Sequence, residues 1–219
     1  MLYIIAYLLL LPYILFGLPV KIVGKKYLKR IKKDSAIVAC NHTTLNDPII
    51  LKTKLDKNLK MMAKDSLFKN KFFGSILRGL GAYPVSRGVA DIKAVKTTLT
   101  HLKNKKHVLI FPEGTRVKQN EGVELKDGVV TFAIKTDSYV VPAVFRKPTK
   151  AFRFNTLVIG KPFKFSEINE FKDVKIDKEL TQKATEILTE KMKYLKEVNI
   201  KEYNKKIKED LKNIDKIND

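Results

Sequence analysis

The sequence contains no tryptophan, one cysteine and three histidines in 219 residues, and only six of its 44 basic residues are arginine. A lone Cys40 cannot close an internal disulfide, and no Cys/His set has the spacing of a structural zinc site. Nothing in the chain asks for an oxidising compartment, a metal or a cofactor. There is no internal repeat, no aromatic ladder and no nucleic-acid-binding motif, so nucleic acid is not an expected partner. With 44% hydrophobic and 31% charged residues, the composition excludes both a disordered chain and a many-span membrane protein. The length suits one globular domain.

What is present is charge of one sign, concentrated in one part of the chain. The formal net charge is +21; residues 161–219 hold 15 Lys against 13 acidic residues, while residues 1–160 hold 29 basic against 10 acidic. A basic body suits an anionic membrane surface or phosphorylated substrates. The N-terminus favours the membrane. Met1 to Val20 carries no charged side chain, and at about 1.5 Å per residue such a helix would reach across a roughly 30 Å hydrocarbon core. It lacks the basic start and small-residue cleavage site of a signal peptide. Pro12, Gly17 and Pro19 interrupt a plain helix, so a full span and a kinked anchor dipping into one leaflet both stay open. Lys21, Lys25, Lys26, Lys29, Arg30, Lys32 and Lys33 follow directly. They place this flank on the cytoplasmic face of the cell membrane, each adding about 1 kcal/mol of attraction to an anionic leaflet. The expected organisation is an anchor with its basic segment over 1–34, a folded domain over 35–198 and a polar, solvated C-terminal helix over 199–219.

Beyond residue 34, short apolar runs alternate with segments of helical period, the pattern of an α/β domain. Strands are expected at Ser35–Cys40, Leu59–Ala63, Ala82–Val85, His107–Phe111 and Tyr139–Phe145, with an extended pair or long strand over Phe152–Phe165. Helices are expected after Asp47, which would cap a helix with Pro48 at its first position, and over Lys69–Leu80, Ala90–Lys103, Gly128–Lys135 and Asp177–Val198. The third of these would bury Ile92, Val95, Leu99 and Leu102. The last would bury Leu180, Ala184, Ile187, Leu188, Met192 and Leu195.

Four segments following expected strands carry chemistry. In Asn41-His42-Thr43-Thr44-Leu45-Asn46-Asp47, one turn of loop can bring the carboxylate onto one ring nitrogen of His42 and leave the other as a general base. Alone, this spacing is more often that of a loop histidine beside a helix cap. Gly81-Ala82-Tyr83-Pro84-Val85-Ser86-Arg87 ends a strand in an arginine suited to a phosphate, or in an ordinary surface arginine. In Phe111-Pro112-Glu113-Gly114-Thr115-Arg116, Glu113 can accept from substrate hydroxyls and Arg116 can hold an anion; a tight turn with an exposed ion pair is an equal reading. Val140-Val141-Pro142-Ala143 reads as a buried strand. Cys40 reads as core, and His101 and His107 as structural or surface residues.

The order of these blocks resembles that of the glycerolipid acyltransferase family, and within it the 1-acylglycerol-3-phosphate acyltransferases, over roughly residues 20–195. Asn41, His42 and Asp47 match the first block, Gly81, Pro84 and Arg87 the second, Phe111 to Arg116 the third, and Val141-Pro142 the fourth; Lys126 and Gly128 match a frequent Lys-x-Gly step. Thr43 and Val117 stand where many relatives have Ser. The resemblance implies a mixed central sheet flanked by helices. It also implies transfer of a fatty acyl group from a thioester of acyl carrier protein or coenzyme A to lysophosphatidic acid, giving phosphatidic acid. His42 would be the base and Asp47 its orienting partner. Arg87 and Arg116 would hold the acceptor phosphate, with Glu113, Gly114 and Thr115 shaping the glycerol site. Glycerol 3-phosphate or another lysolipid is the alternative acceptor. A non-catalytic lipid- or nucleic-acid-binding protein at the membrane would account for the charge but not for the order of the blocks.

Overall fold

The computed structural model describes residues 12–86, 91–116, 125–172 and 177–218. In chain order its elements begin with β1 (Val20–Val23), α1 (Lys25–Arg30), β2 (Ala36–Cys40) and α2 (Asn46–Ile50), which runs into a π-helical turn over Leu51–Leu55. Next come β3 (Lys60–Lys64), α3 (Lys71–Gly79), β4 (Ala82–Val85), α4 (Ile92–Lys103) and β5 (His107–Ile110). The chain closes with α5 (Gly128–Thr136), β6 (Tyr139–Phe145), β7 (Asn155–Ile159), α6 (Lys178–Glu197) and α7 (Ile200–Asn218). The strands form one seven-stranded sheet in the order β1-β7-β6-β2-β5-β3-β4. All neighbours are parallel except β6 and β7, so the sheet is mixed and flanked by helices, as expected.

β2 lies at the centre, between β5 and β6, and all five of its residues are buried. A strand covered on both faces cannot alternate apolar with polar, which is why AIVAC is a continuous apolar run. Its side chains still alternate in direction. Ile37 and Ala39 join the core formed with Val108, Val129, Phe132, Val144 and Leu188, while Val38 and Cys40 join Ile50, Leu51, Leu109, Phe145 and Leu157 on the other face. Because β2, β5 and β6 run the same way, the segments that follow them emerge at the same end of the sheet.

Several expectations are corrected. Residues 20–34 are not separate from the domain: β1 is an edge strand with Val20 opposite Asn155, and Tyr27 and Leu28 of α1 are buried. A single helix through Val20 is excluded too. A π-helical turn over Tyr13–Gly17 ends the helical stretch, Leu18 lies in the core, and the chain is extended from Val20. Residues 1–11 of the expected anchor lie outside the described residues, and no described helix is long and apolar enough to cross a membrane. The Phe152–Phe165 stretch forms β7, a bridge at Phe163 and a 3₁₀ turn rather than one strand.

Helix faces differ as well. α4 buries Ala94, Thr98 and Leu102, leaving Ile92 and Val95 exposed. Thr98 is tolerated inside because its hydroxyl donates to the Ala94 carbonyl at 2.8 Å and shares a 2.8 Å hydrogen bond with the Tyr83 hydroxyl. α6 begins at an Asp177 cap that accepts from the Leu180 amide, and it buries Ala184, Leu188, Met192 and Leu195. α7 is not merely solvated: Tyr203, Ile207 and Leu211 are buried at four-residue spacing. The Tyr203 hydroxyl donates to the Ile159 carbonyl at 2.9 Å, and the Tyr27 hydroxyl donates to Asp210 at 2.6 Å, clasping α1 to α7.

Candidate active site

The site is built where β2, β5 and β6 end. Asn41 is the first residue beyond β2. Its Nδ2 donates to the Phe145 carbonyl at 3.0 Å and its Oδ1 accepts from the Phe145 amide at 2.7 Å, so it locks the end of β2 to that of β6. His42 follows, and the loop then doubles back into α2. Asp47 does not cap that helix: the cap position is Leu45, and Asp47 lies within α2, fully buried. Its carboxylate turns back and closes the loop. Oδ2 accepts from the Thr43 and Thr44 amides at 2.5 and 2.7 Å and lies 3.1 Å from His42 Nδ1.

The other oxygen, Oδ1, accepts from the Thr149 hydroxyl at 2.7 Å, and Thr149 shares a short hydrogen bond with Thr44. Burial alone would raise the Asp47 pKa, but the donors on His42, Thr44, Thr149 and Thr43 outweigh it and hold the carboxyl below its ordinary value. An ionised Asp47 keeps the proton on Nδ1, which makes Nε2 the basic nitrogen of His42. The imidazole is fixed further by Phe111, with ring centroids 4.1 Å apart and planes inclined by 17°. No described residue is hydrogen-bonded to Nε2.

Glu113 reaches the same loop, and its Oε2 accepts from the His42 amide at 2.7 Å. Burial pushes its pKa up to about 7; the neighbouring Asp47 charge adds to this, while the His42 amide and Lys196 oppose it. The turn that carries Glu113 depends on Gly114, at φ +69°, whose amide donates to the Phe111 carbonyl at 2.9 Å. A Cβ at Gly114 would stand 3.0 Å from Lys126 Cε, because the Lys126 side chain lies across the turn. The Lys126 amide also donates to the Pro112 carbonyl at 2.8 Å.

The structure therefore brings together Asn41, His42, Asp47 and Glu113, with Gly114 and Lys126 framing the turn. Thr115 and Arg116 are exposed on that same turn. Arg87 lies outside the described residues. Pro84 stands on β4, the far edge of the sheet and three strands from β2, a separation of about 14 Å at the usual strand spacing. Pro142 pairs with Ala39 in mid-sheet, and its carbonyl accepts from the Gly160 amide at 2.7 Å. Gly128 opens α5, where a Cβ would meet nothing. Cys40 is buried, and its thiol is pushed well up by burial first and by the Asp47 and Glu113 charges second, in keeping with a core residue. Two contacts were hidden from sequence reasoning: Thr149, a loop residue 102 positions from Asp47, and the stacking of Phe111 on the imidazole. Among the described residues no cluster of His, Cys, Asp or Glu could hold a metal ion.

Residues 19–146 match the family model described as Acyltransferase. The chain belongs to the acyltransferase family. A curated acyltransferase relative, the 1-acyl-sn-glycerol-3-phosphate acyltransferase of Bacillus subtilis (strain 168), is 33% identical over 165 residues, covering 73% of this chain and 80% of that protein. Another of the same name, from Borreliella burgdorferi, is 26% identical over 149 residues, covering 65% of this chain and 57% of its own. In fold, this acyltransferase resembles the crystal structure of the 1-acyl-sn-glycerophosphate acyltransferase PlsC from Thermotoga maritima. The TM-score is 0.61 at 24% identity, covering 83% of this chain and 73% of that one.

Proposed function

We propose that the protein transfers a fatty acyl group from a thioester, carried on acyl carrier protein or coenzyme A, to the free hydroxyl of 1-acyl-sn-glycerol 3-phosphate, forming phosphatidic acid. The observation that carries this reading is the buried His42–Asp47 pair, whose Nε2 is unengaged among the described residues. An alcohol attacks a thioester poorly unless its proton leaves as the bond forms. In the proposed step Nε2 takes that proton while the oxygen bonds to the acyl carbon, and Asp47 stabilises the imidazolium. Collapse of the tetrahedral intermediate breaks the carbon–sulfur bond, and the departing thiolate takes the proton back. The nucleophile is the substrate itself, so no acyl-enzyme forms and no metal or cofactor is invoked.

In the same reading Arg87 and Arg116 hold the acceptor phosphate, and Glu113, Gly114 and Thr115 shape the glycerol site. Glu113 has one oxygen committed to the His42 amide, so its contribution is to set the histidine loop as well as to offer Oε1. The uncharged N-terminal segment and the basic residues after it hold the enzyme at the cytoplasmic face of the membrane, where acceptor and acyl tail reside. The test is acyl transfer by purified protein offered lysophosphatidic acid, glycerol 3-phosphate and lysophosphatidylcholine with both thioester donors, alongside His42→Ala. Phosphatidic acid formed from lysophosphatidic acid by the parent and lost in a folded His42→Ala variant is the expected result. Transfer to glycerol 3-phosphate alone would move the acceptor assignment, and full activity in the variant would remove the base.

A further inference from the structure

The loop from Arg146 to Phe154, between β6 and β7, has two sides. Inward, Thr149 is buried and bonded to Asp47. Outward, Phe152 and Phe154 are 75% and 89% exposed, with Lys147, Lys150 and Arg153 exposed around them. Two neighbouring parts of the surface extend this apolar face. Phe16 is 76% exposed one residue before Gly17, whose carbonyl accepts from the Phe152 amide at 2.7 Å. The Tyr13 ring meets Phe152 edge-on at 6.3 Å, and its hydroxyl donates to Asn46 at 2.9 Å, beside the exposed Leu45.

The aromatics do not stand out through looseness. Asn155 Nδ2 donates to the carbonyls of Pro19, Lys150 and Arg153, and its Oδ1 accepts from the Lys150 amide. Phe152 is held at φ +56°, a conformation bulky side chains rarely adopt. The loop is thus built to present its rings to the outside. Beside them opens a cavity of about 700 Å³ whose lining includes Lys21, Arg146, Lys147, Lys150, Arg153 and Lys196 and no carboxylate.

We propose that the Arg146–Phe154 loop, with Phe16 and Lys21 beside it, is a docking surface for an anionic lipid bilayer. Rings that enter the headgroup boundary and cations that meet anionic headgroups are the two terms that bind a protein to such a surface. Phe16 and Phe152 protrude, and Phe154 stands at the edge of the cavity among its cations, so rings and positive charges share one outward face, the combination a bilayer surface meets. The uncharged residues 1–11 lead directly into Pro12 and Tyr13 at this face. Docking here sets the bilayer one loop away from the His42–Asp47 pair. The inference rests on the acceptor being a lipid.

The absence of tryptophan makes the test direct, because Phe154→Trp in the full chain introduces a single reporter. Adding vesicles of phosphatidylcholine with phosphatidylglycerol should shift its emission to the blue and allow quenching by brominated acyl chains. Pure phosphatidylcholine should do so far less. Adding Lys147→Gln, Lys150→Gln and Arg153→Gln should move the docked-to-undocked ratio about a hundredfold towards undocked. Unchanged emission at position 154 would overturn the proposal. So would a shift produced by acyl carrier protein and not by vesicles, which would give the loop to the donor. The reporter reads docking without turnover, so failure of docking and failure of the proposed reaction are seen separately.

Discussion

Two histidine–aspartate pairs stand at opposite ends of the same sheet among the described residues, one fully inside and one with a partly exposed carboxylate, and only the first leaves a ring nitrogen unengaged. His42 follows the end of β2 and meets Asp47 at 3.1 Å; His107 begins β5 and meets Asp56 at 2.8 Å. By distance the second pair is the better one. It is closed, however: His107 Nε2 lies 3.2 Å from the Ile31 carbonyl, so both ring nitrogens are engaged within the protein. Burial would lower the His107 pKa, but Asp56 and that carbonyl outweigh it and raise it. His42 has one nitrogen engaged, an aromatic ring under its face and a second carboxyl on its own amide. A histidine–carboxylate contact is therefore not a catalytic signature by itself; a second nitrogen unengaged among the described residues, at the strand-exit end of the sheet, is what separates the two.

Exchanging the losses would break or sharpen this contrast. The largest expected effect is on turnover: His42→Ala should lower acyl transfer by about a thousandfold, in a variant that still folds because the Thr43 and Thr44 amides and the Thr149 hydroxyl keep their hydrogen bonds to Asp47. In His107→Ala the pattern should reverse, with activity retained below the melting transition and stability reduced by about 2–3 kcal/mol in denaturant titrations, since Asp56 is partly exposed. The stability that pair contributes has a defined window. His107, raised, contributes fully below its ordinary 6.5 and loses the contribution as pH rises through its folded value; Asp56, lowered, contributes above its ordinary 3.8 and loses it as pH falls. Between those pH values the parent should exceed the variant most.

Thr149→Val is expected to have an intermediate effect. Removing a donor from Asp47 should cost about tenfold in kcat and move the acidic limb of the rate profile to higher pH, with both restored by Thr149→Ser. A purely structural role for Thr149 would lower stability without moving the limb. Glu113→Gln should show the smallest effect, in the slope of melting temperature against pH. Glu113, raised from 4.5 to about 7, contributes its full stability below 4.5 and loses it as pH rises to about 7. The variant should lack that decline.

Much of the sheet was legible because central strands such as Ala36–Cys40 are buried on both faces and leave a plain apolar run. The histidine loop was legible in its residues and in the contact of the Asp47 carboxylate with one ring nitrogen of His42, but not in the place of Asp47, which lies within α2 rather than at its cap. A carboxylate at that spacing satisfies amides either way, and only the fold decides which. Edges were misread for a common reason. β1 sits among lysines that tolerate solvent on an edge strand, and α7 hides three apolar residues in a charged sequence, so composition pointed outward where spacing pointed inward. Thr149 could not have been found, since nothing about a threonine in a loop announces a carboxylate 102 residues away.

The pairing of Val20 with Asn155 also fixes a timetable. At a synthesis rate of about 5–20 residues per second, β1 leaves the ribosome on the order of ten seconds before the strand it pairs with. During that interval β1 has no sheet to join, and the apolar side chains of Leu18 and Tyr27 wait for the later elements that bury them. The last strand of the sheet and then α7, closing over α1, complete the domain onto the segments made first.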